Sequence, residues 1–438
     1  MLFGKDRKHM PLNLNRAQLA VNGGSPVRIK PWIDNFTFGD EEKRAAIAAI
    51  ETGYLSKFEG SFTPDPPFSF RGGPFVQQLE TMWSEYYGVK HCVSVNSATS
   101  GLYAAIGALG LGYGDEVIVS PSTMTASAVG PLLYGAIPVF ADVERKSGAL
   151  DPLSIEALVN PRTRCIIVVH QFGIPADMDP IMDIARRYNL KVIEDCAQAH
   201  AAKYKGRYVG TFGDIGVFSL NVNKSIQCGE GGVCTTNNED LKCRLELIRN
   251  HGENVVGPAG YENIVNIIGF NYRLTEIQAA IAIEQLKKLA SINIARIEFV
   301  EYLNEQLKKF DFFEVIEGRE GCISTFYTYP ILYRPEVGGV DIEKFRETLN
   351  SEGMYFLRGY KPLYLQPIYQ KRIAFKFGYP FAAPENRNAI TNYALGACPM
   401  AEALRDQLLI NEYIRLPNTL EDCRDIVRAL EKLAGKGK

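Results

Sequence analysis

The chain has 438 residues, of which 46% are hydrophobic and 22% charged, and its formal net charge at pH 7 is -2. The composition is typical of a soluble globular protein, and the length predicts two domains. The small net charge gives no indication of a nucleic-acid backbone or an anionic membrane as partner. No run of about 20 apolar residues predicts a spanning helix.

The N-terminal residues 1–15 carry charges but lack the apolar core of a secretory signal. The nine cysteines are scattered along the chain and contain no CxxC pair. An odd, unpatterned set of cysteines indicates reduced core thiols, so we expect a cytoplasmic protein without a zinc site.

Residues 57–71 read KFEGSFTPDPPFSFR, a stretch rich in Phe, Pro and Gly that is not expected to form a regular element. Long ordered loops are often functional, so our hypothesis is that this insertion lines the mouth of a substrate site. A plain surface flap is the alternative.

From about residue 75 to residue 240, short β-rich runs alternate with amphipathic helical patterns. Several of these runs are apolar at successive positions, which is typical of strands covered on both faces of a mainly parallel sheet. The alternation therefore predicts an α/β layered domain. The seven predicted strands are 91–96, 116–121, 137–143, 164–173, 191–197, 216–222 and 232–237.

A long helical pattern at 275–309 is expected to link this domain to a second one. The remainder combines a strand pattern at 326–333 with helical patterns at 341–353 and 420–435, which predicts a smaller α+β domain. We therefore divide the chain into an N-terminal arm with a helix and the inserted loop (1–74), a large α/β domain (75–290) and a small C-terminal domain (291–438).

Two chemically informative residues follow neighbouring strand patterns. Asp195 ends the apolar run KVIED, at the carboxyl end of a strand, where open α/β sheets place their ligand crevice. Lys224 lies just past the strand GVFSLNV and is followed by the turn CGEGG. A buried amine and a buried acid are the groups that pyridoxal 5'-phosphate (PLP) requires, one to form a Schiff base and one to keep the pyridine nitrogen protonated.

A phosphate site is predicted beside them. Ser219 could donate its hydroxyl to a phosphate, and the segment 96–110 reads as a strand end followed by a helix that opens on small residues. The backbone N–H groups of Ala98 and Thr99 at that helix start would form an anion cradle. A Ser/Thr cluster that only caps the helix is the alternative.

These segments resemble the PLP-dependent sugar aminotransferases of the DegT/StrS family, within the fold-type-I aminotransferase superfamily. The resemblance is strong from about residue 75 to residue 289 and weak in the tail. The motifs that carry it are NSATSGL, GDEVIVSPS, GAIPVFADV, EDCAQAH, GDIGVFSLNVNKSIQCGEGG, RNHG and GFNYRLTEIQAAI.

The resemblance implies a fold-type-I α/β structure, with a mainly parallel seven-stranded sheet in the large domain and a smaller α+β domain. It also implies roles for individual residues: Lys224 would bind PLP covalently, Asp195 would pair with the pyridine nitrogen, and Gln198 would lie near the phenolic oxygen. Ser219, Ala98 and Thr99 would bind the phosphate.

The resemblance further implies a homodimer, because Asn271 of one subunit would reach the phosphate of the other. Arg273 would belong to the same loop, either touching substrate or bracing the interface. His170 and His200 follow strand ends closely enough to lie near the site, although structural roles are favoured for both.

One departure from the family concerns the ring-covering residue. The family usually places an aromatic side chain over the cofactor, whereas PSTMTAS places Met124 at that position. A thioether can cover a ring but has no π-face.

The function implied is transfer of an amino group from glutamate or glutamine to a keto-sugar or keto-cyclitol, in amino-sugar biosynthesis. Residues 19–32 resemble the leader of cyclitol and antibiotic-sugar aminotransferases. A PLP-dependent keto-sugar dehydratase and a non-catalytic regulatory relative are the alternatives. The presence of Lys224 argues against the dehydratases that carry histidine there, and the absence of an early GxGxxG disfavours an NAD-binding protein.

Overall fold

A seven-stranded sheet forms the centre of the large domain in the computed structural model, which describes residues 12–61 and 68–435. All seven predicted strands of the large domain are present. The strands of the described residues, in chain order, are β1 (His91–Val95), β2 (Glu116–Val119), β3 (Ile137–Phe140), β4 (Thr163–Val169), β5 (Lys191–Asp195), β6 (Lys203–Tyr204), β7 (Arg207–Tyr208), β8 (Ile215–Ser219), β9 (Gly232–Thr236), β10 (Phe313–Val315), β11 (Tyr329–Tyr333), β12 (Leu357–Arg358) and β13 (Leu408–Asn411).

The predicted helices are also present, and their ends carry the expected signals. Pro74 starts its helix, and Thr275 and Gln278 form a capping box at the start of the long one. The α-helices of the described residues are α1 (Asp40–Glu51), α2 (Pro74–Tyr87), α3 (Ala98–Ala108), α4 (Ala126–Leu133), α5 (Pro152–Leu158), α6 (Met178–Tyr188), α7 (Glu239–Arg249), α8 (Glu276–Leu307), α9 (Pro335–Gly338), α10 (Ile342–Ser351), α11 (Pro367–Gln370), α12 (Pro399–Arg405) and α13 (Leu420–Ala434).

The order of the strands across the large sheet is β1-β9-β8-β5-β4-β2-β3. The neighbours from β8 to β3 pair in parallel, whereas β9 runs antiparallel to both β1 and β8. The sheet is therefore mainly parallel, as the sequence predicts.

Both faces of this sheet are covered, because successive residues of its strands enter opposite apolar cores. On β2, Val117 and Val119 belong to one core and Ile118 to the other. This double burial explains why the strands read as continuous apolar runs. It also leaves the strand ends as the place where polar side chains can gather.

The C-terminal part forms a four-stranded antiparallel sheet, in the order β10-β11-β13-β12, with α10 and α13 packed close to each other. The helix α8 runs through the predicted boundary at residue 290 without a break. The N-terminal arm lies against the small domain, since Arg28 forms ion pairs of 2.8 Å with Asp422 and 2.9 Å with Asp425.

All nine cysteines are free, and seven of them are buried. Across residues 12–61 and 68–435, no helix combines the length and the apolar character needed to cross a bilayer.

Candidate active site

The candidate site lies where β5 and β8 end side by side. Asp195 is the last residue of β5 and pairs in register with Val217 of the neighbouring β8. Ser219 ends β8, and Lys224 follows five residues later. The parallel pairing thus brings the predicted acid, hydroxyl and amine to one edge of the sheet.

The Asp195 carboxylate is 5% exposed and is held by two hydrogen bonds. The Ser127 hydroxyl donates to Oδ2 at 2.7 Å, and the Ala197 N–H donates to Oδ1 at 3.1 Å. Ser127 lies on α4 and is itself fully buried. Ser127 was not identified from the sequence, although the run of small polar residues after β2 is a usable signal.

The Lys224 amine lies in a desolvated position. Burial lowers its pKa to about 8, although the charges of Asp195 and Glu412 partly oppose the shift. Its Nζ atom lies 4.2 Å from the centroid of the Tyr327 ring. At a pKa near 8 a substantial fraction of the amine is neutral at physiological pH, as a nucleophile or a base requires.

The backbone around Lys224 is fixed by the N-terminal arm. The Asn35 Nδ2 atom donates to the carbonyl oxygens of Val222 at 2.9 Å and of Lys224 at 2.8 Å. Asn35 was not identified from the sequence, because its partners lie almost 190 residues away.

The helix α3 begins beside the end of β8. Gly232 pairs with Ser219, and a Cβ atom at Gly232 would come within 2.8 Å of the Ala98 nitrogen. Only glycine therefore allows the start of α3 to approach Ser219 so closely. The Ser97 hydroxyl caps the helix by accepting from the Ser100 N–H at 3.1 Å. The earlier N–H groups of the helix remain available to an anion.

Gln198 lies at the same sheet edge and links the two domains. Its Oε1 atom accepts from the Phe172 N–H at 2.8 Å, and its Nε2 atom donates to the Tyr360 hydroxyl at 3.3 Å. Phe172 has a φ of 59°, in the left-handed region that non-glycine residues rarely occupy. Backbone strain of this kind is found where surrounding structure holds a functional geometry.

Met124 lies three residues before Ser127, and its side chain is 60% exposed. Thr99 is also exposed, whereas Ala98 is buried. The ring-covering role of Met124 stays a prediction, as does phosphate binding by Ala98, Thr99 and Ser219.

Asn271 is exposed on the protomer surface. Its Oδ1 atom accepts from the Arg273 Nε at 2.7 Å, and its backbone pairs with Asn250 of the RNHG motif. This arrangement orders the loop, and a role for Asn271 at the phosphate of another subunit stays a prediction.

His170 takes part in a buried network with Glu194. Its Nδ1 atom accepts from the Ala176 N–H at 3.1 Å, so the proton is on Nε2, which lies 3.0 Å from Glu194 Oε2. Cys196 is close enough for the three side chains to hold a metal ion. The Glu194 oxygens, however, already accept 2.7 Å hydrogen bonds from the N–H groups of Gly210, Phe212 and Gly213. The acceptor capacity of the Glu194 carboxylate is therefore taken up by hydrogen bonds that hold the fold.

His200 is a core residue. Its ring lies 6.2 Å from that of Trp83 and 5.8 Å from that of Phe218, and burial lowers its pKa to about 3. A permanently neutral ring at this position is a packing element.

The inserted loop is fixed at its base. The Asn250 Nδ2 atom donates to the carbonyl oxygens of Glu59 at 2.7 Å and of Phe70 at 3.0 Å, and Phe58 is buried. Residues 62–67, the middle of this insertion, lie outside the described residues. Its role at the substrate mouth stays a prediction.

The small domain contributes side chains that the sequence did not reveal. Tyr327 lies against the Lys224 amine, and Glu412 acts on that amine through its charge. Tyr360 contacts Gln198, and Arg415 donates to the carbonyl of Asn223, the residue before Lys224.

Comparison with known proteins gives a consistent result. The model of the DegT/DnrJ/EryC1/StrS aminotransferase family matches residues 68–384. The L-glutamine:2-deoxy-scyllo-inosose aminotransferase of Streptomyces kanamyceticus is 33% identical over 433 residues, covering 97% of this chain and 98% of the relative. The GDP-perosamine synthase of Caulobacter vibrioides is 42% identical over 237 residues, covering 54% of this chain and 63% of the relative.

Solved structures share the fold over most of the chain. An aminotransferase from Psychrobacter cryohalolentis has a TM-score of 0.77 at 27% identity and covers 93% of this chain and 99% of its own. DesV of S. venezuelae, solved with a ketimine intermediate, has a TM-score of 0.75 at 28% identity and covers 91% of this chain and 95% of its own.

Proposed function

The chain belongs to the DegT/DnrJ/EryC1/StrS aminotransferase family, and from this premise we propose that it transfers the amino group of glutamine to the ketone of a cyclitol. The observation that carries the proposal is the buried Lys224 amine, with its lowered pKa, beside the strand-end carboxylate of Asp195.

The residues present fit PLP, the cofactor of this family. Lys224 offers a partly neutral amine, and Asp195 offers a buried carboxylate anchored by Ser127. The approach of α3 to Ser219, which Gly232 permits, leaves backbone N–H groups free for a phosphate. When bound, PLP would supply an aldehyde to carry the amino group and a ring to withdraw electrons.

Each residue then has a defined task. The Asp195 carboxylate would hold a proton on the pyridine nitrogen, and the Ser127 hydroxyl keeps that carboxylate oriented. The Lys224 Nζ atom would take the proton from the α-carbon of the donor and return it at the other end of the transfer. Its lowered pKa suits this work, because a fully protonated amine could not accept that proton.

The preference for a cyclitol as acceptor rests on the share of this chain over which the cyclitol aminotransferases are similar to it. The S. kanamyceticus relative is similar over 97% of this chain, including the arm and the small domain that border the Lys224 cleft. Three further 2-deoxy-scyllo-inosose aminotransferases are 31–32% identical over 95–96% of the chain. The names of these relatives also favour glutamine as the amino donor.

A GDP-linked keto-sugar is the second candidate acceptor. The supporting observation is the higher identity, 42%, with the perosamine synthase, although it extends over only 54% of this chain. The dehydratase and regulator alternatives receive no such support, because the matched family is described as an aminotransferase family and the relatives similar over most of the chain are named aminotransferases.

We further propose that the active unit is a homodimer in the cytoplasm, with Asn271 of one subunit at the cofactor phosphate of the other. The exposed, ordered loop around Asn271 and Arg273 supports this arrangement.

The test uses purified, PLP-loaded protein and glutamine labelled with ¹⁵N at the α-amino group. We expect the label in the aminated product of 2-deoxy-scyllo-inosose or scyllo-inosose, detected by mass spectrometry, and none with a Lys224→Ala variant. Parallel reactions with a GDP-linked keto-sugar, and with labelled glutamate, decide between the candidates. Absence of label in every acceptor would overturn the proposal.

A further inference from the structure

An exposed loop of the small domain, residues 371–379, combines aromatic and basic side chains in the sequence KRIAFKFGY. We call it the aromatic loop. Phe377, near its tip, is 90% exposed. The other large apolar side chains of the loop are between 38% and 54% exposed: Ile373, Phe375 and Tyr379. Apolar side chains clustered at the surface in this way mark an interaction site.

The backbone of the loop directs Phe377 outward. The chain turns back between Phe375 and Tyr379, since the Phe375 N–H donates to the Tyr379 carbonyl at 2.9 Å. Within this turn Phe377 has a φ of 61°, in the left-handed region that bulky residues rarely occupy. Because its ring is almost fully exposed, this strained conformation brings it no packing contact within the protomer. The turn presents the ring to something outside the protomer.

The aromatic loop has a fixed base. The buried Asn386 donates from Nδ2 to the carbonyl oxygens of Gly135 at 2.8 Å and of Pro380 at 2.9 Å. The buried Tyr393 donates from its hydroxyl to the carbonyl of Pro138, on β3, at 2.8 Å. Since β3 is an edge strand of the large sheet, the loop is held against this edge and its exposed side chains keep a defined position.

The charge of this region is positive. Residues 359–390 contain five lysines and arginines and one acid, Glu385. Three of the cations are in the aromatic loop and are exposed: Lys371, Arg372 and Lys376. In the part of the chain that the structure describes, no carboxylate oxygen lies within 4 Å of their side-chain nitrogens. These cations are therefore available to an anionic partner.

We propose that the aromatic loop attaches the protein to the surface of an anionic lipid bilayer. Phe377 enters the boundary between headgroups and acyl chains, and the three cations of the loop lie against lipid phosphates. Apolar burial and charge attraction add in such an attachment. Tyr379 and the exposed Tyr113, whose ring centroids are 6.4 Å apart, suit the headgroup level, because a phenol has an apolar body and a polar tip.

Two other partners fit this surface less well. In a two-fold contact with a second copy of the chain, the same patch lies on both subunits, so the cations of one loop would face those of the other. Like charges in contact repel, and the loop itself contains no acid to offset them. Single-stranded nucleic acid also binds aromatic and basic side chains, but in grooves that follow its backbone. Phe377 lies on a convex tip, as its 90% exposure requires.

The test is sedimentation of the PLP-loaded full chain with vesicles made of phosphatidylglycerol and phosphatidylcholine in equal parts, compared with vesicles of phosphatidylcholine alone. We expect binding to the anionic vesicles only. This binding should be lost at about 0.5 M salt, where the charge attraction is screened. Absence of binding to the anionic vesicles, or equal binding to both kinds, would overturn the proposal.

The apolar contribution is measured with Phe377→Asn, since asparagine tolerates the left-handed backbone of the turn. Its affinity for the anionic vesicles should fall about tenfold, as expected for the loss of an inserted ring. Leu153→Asn is the matched control, because Leu153 is an apolar residue on α5 that is 77% exposed. Equal affinities in the two variants would contradict the insertion of Phe377.

The charge contribution is measured with the double variant Lys371→Gln, Lys376→Gln. Its affinity for the anionic vesicles should fall roughly 25-fold, because each cation near such a surface contributes about fivefold. The control is Lys146→Gln, Lys344→Gln, which removes two exposed lysines elsewhere on the protein. If Phe377→Asn does not fold, this pair of double variants decides, and equal affinities in the pair would overturn the proposal.

Phe377→Trp gives a readout from the tip of the loop itself. Its indole emission should shift to shorter wavelength with the anionic vesicles and not with phosphatidylcholine vesicles. Retention of labelled polyuridylate without vesicle binding would assign the loop to nucleic acid instead. A smaller number of subunits in Phe377→Asn, seen by native mass spectrometry, would assign it to a contact between copies. Either result overturns attachment to the bilayer.

The proposal is independent of the chemistry at Lys224. Amination of a soluble ketone should proceed at the wild-type rate in the loop variants, because none of the changed side chains lies in the site described above. A wild type that binds anionic vesicles but aminates no ketone would dismiss only the proposed function. An active wild type that binds no vesicles would dismiss only the attachment.

Discussion

The hydroxyl of Ser127 lies 2.7 Å from the Oδ2 atom of Asp195, and both side chains are buried. Since a hydrogen bond to a buried carboxylate contributes about 1.5–3 kcal/mol, Ser127→Ala should weaken PLP binding by roughly 10- to 100-fold. Titration of cofactor-free protein with PLP, followed by absorbance, measures this loss. Ser291→Ala, which removes an exposed hydroxyl on α8, is the control, and equal PLP affinities in the two variants would contradict the role of Ser127.

Lys224 should be the residue that carries the cofactor. Borohydride reduction of the PLP-loaded protein, followed by peptide mass mapping, is expected to leave a pyridoxyl group on Lys224. Lys224→Ala should show no such adduct and should lose about 10³-fold or more of its activity, as expected when the proton-transferring base is removed. A pyridoxyl group on the exposed Lys191 instead would show that the site is misassigned.

The buried amine should also give a pH-dependent stability. The pKa of Lys224 falls from 10.5 to about 8 on folding, so between pH 8 and pH 10.5 the unfolded chain holds a proton that the folded protein lacks. Stability therefore rises with pH through this window, and the cost of burying the charge is fully present below pH 8. Cofactor-free Lys224→Met should exceed the wild type in Tm at pH 7.5, and this gap should close toward pH 10.5.

The control for this pH series is Lys371→Met, which replaces an exposed lysine and should show no gap that varies with pH. A Tm difference for Lys224→Met that is the same at pH 7.5 and pH 10 would contradict the lowered pKa.

Subunit mixing tests whether Asn271 acts across a dimer. Asn271→Ala and Lys224→Ala homodimers should each be inactive or nearly so. A mixed dimer has one complete site, formed by Lys224 of one subunit and Asn271 of the other. Random exchange should therefore restore about a quarter of the wild-type activity. No recovery after exchange, verified by native mass spectrometry, would argue that each subunit holds a complete site.

The inserted loop is expected to contact the acceptor. Replacing residues 61–68 by two glycines keeps the anchors of the loop base, Glu59 and Phe70, in place. The KM for the ketone should rise roughly tenfold, with kcat within about twofold, because binding contacts and no reacting groups are removed. Unchanged Michaelis constants would leave the loop as a surface flap.

The central elements could be predicted from the sequence because their burial is regular. Strands such as β4 and β5 are covered on both faces and read as apolar runs, and the ends of α2 and α8 carry local signals at Pro74 and Thr275. Asp195 could be identified because it ends such a strand, and Lys224 because it follows one. Their proximity then depends only on the parallel pairing of β5 with β8.

The rest of the site was decided by tertiary structure alone. Ser127, Asn35 and Arg415 lie 68, 189 and 192 residues from the groups that they contact, and nothing in their local sequence marks those partners. The desolvation that lowers the pKa of Lys224 is likewise a property of its packed surroundings. The sequence by itself determined the strands and the reactive residues that end or follow them. The tertiary structure decided which distant side chains hold those residues in place, because hydrogen bonds and desolvation depend on distances in space.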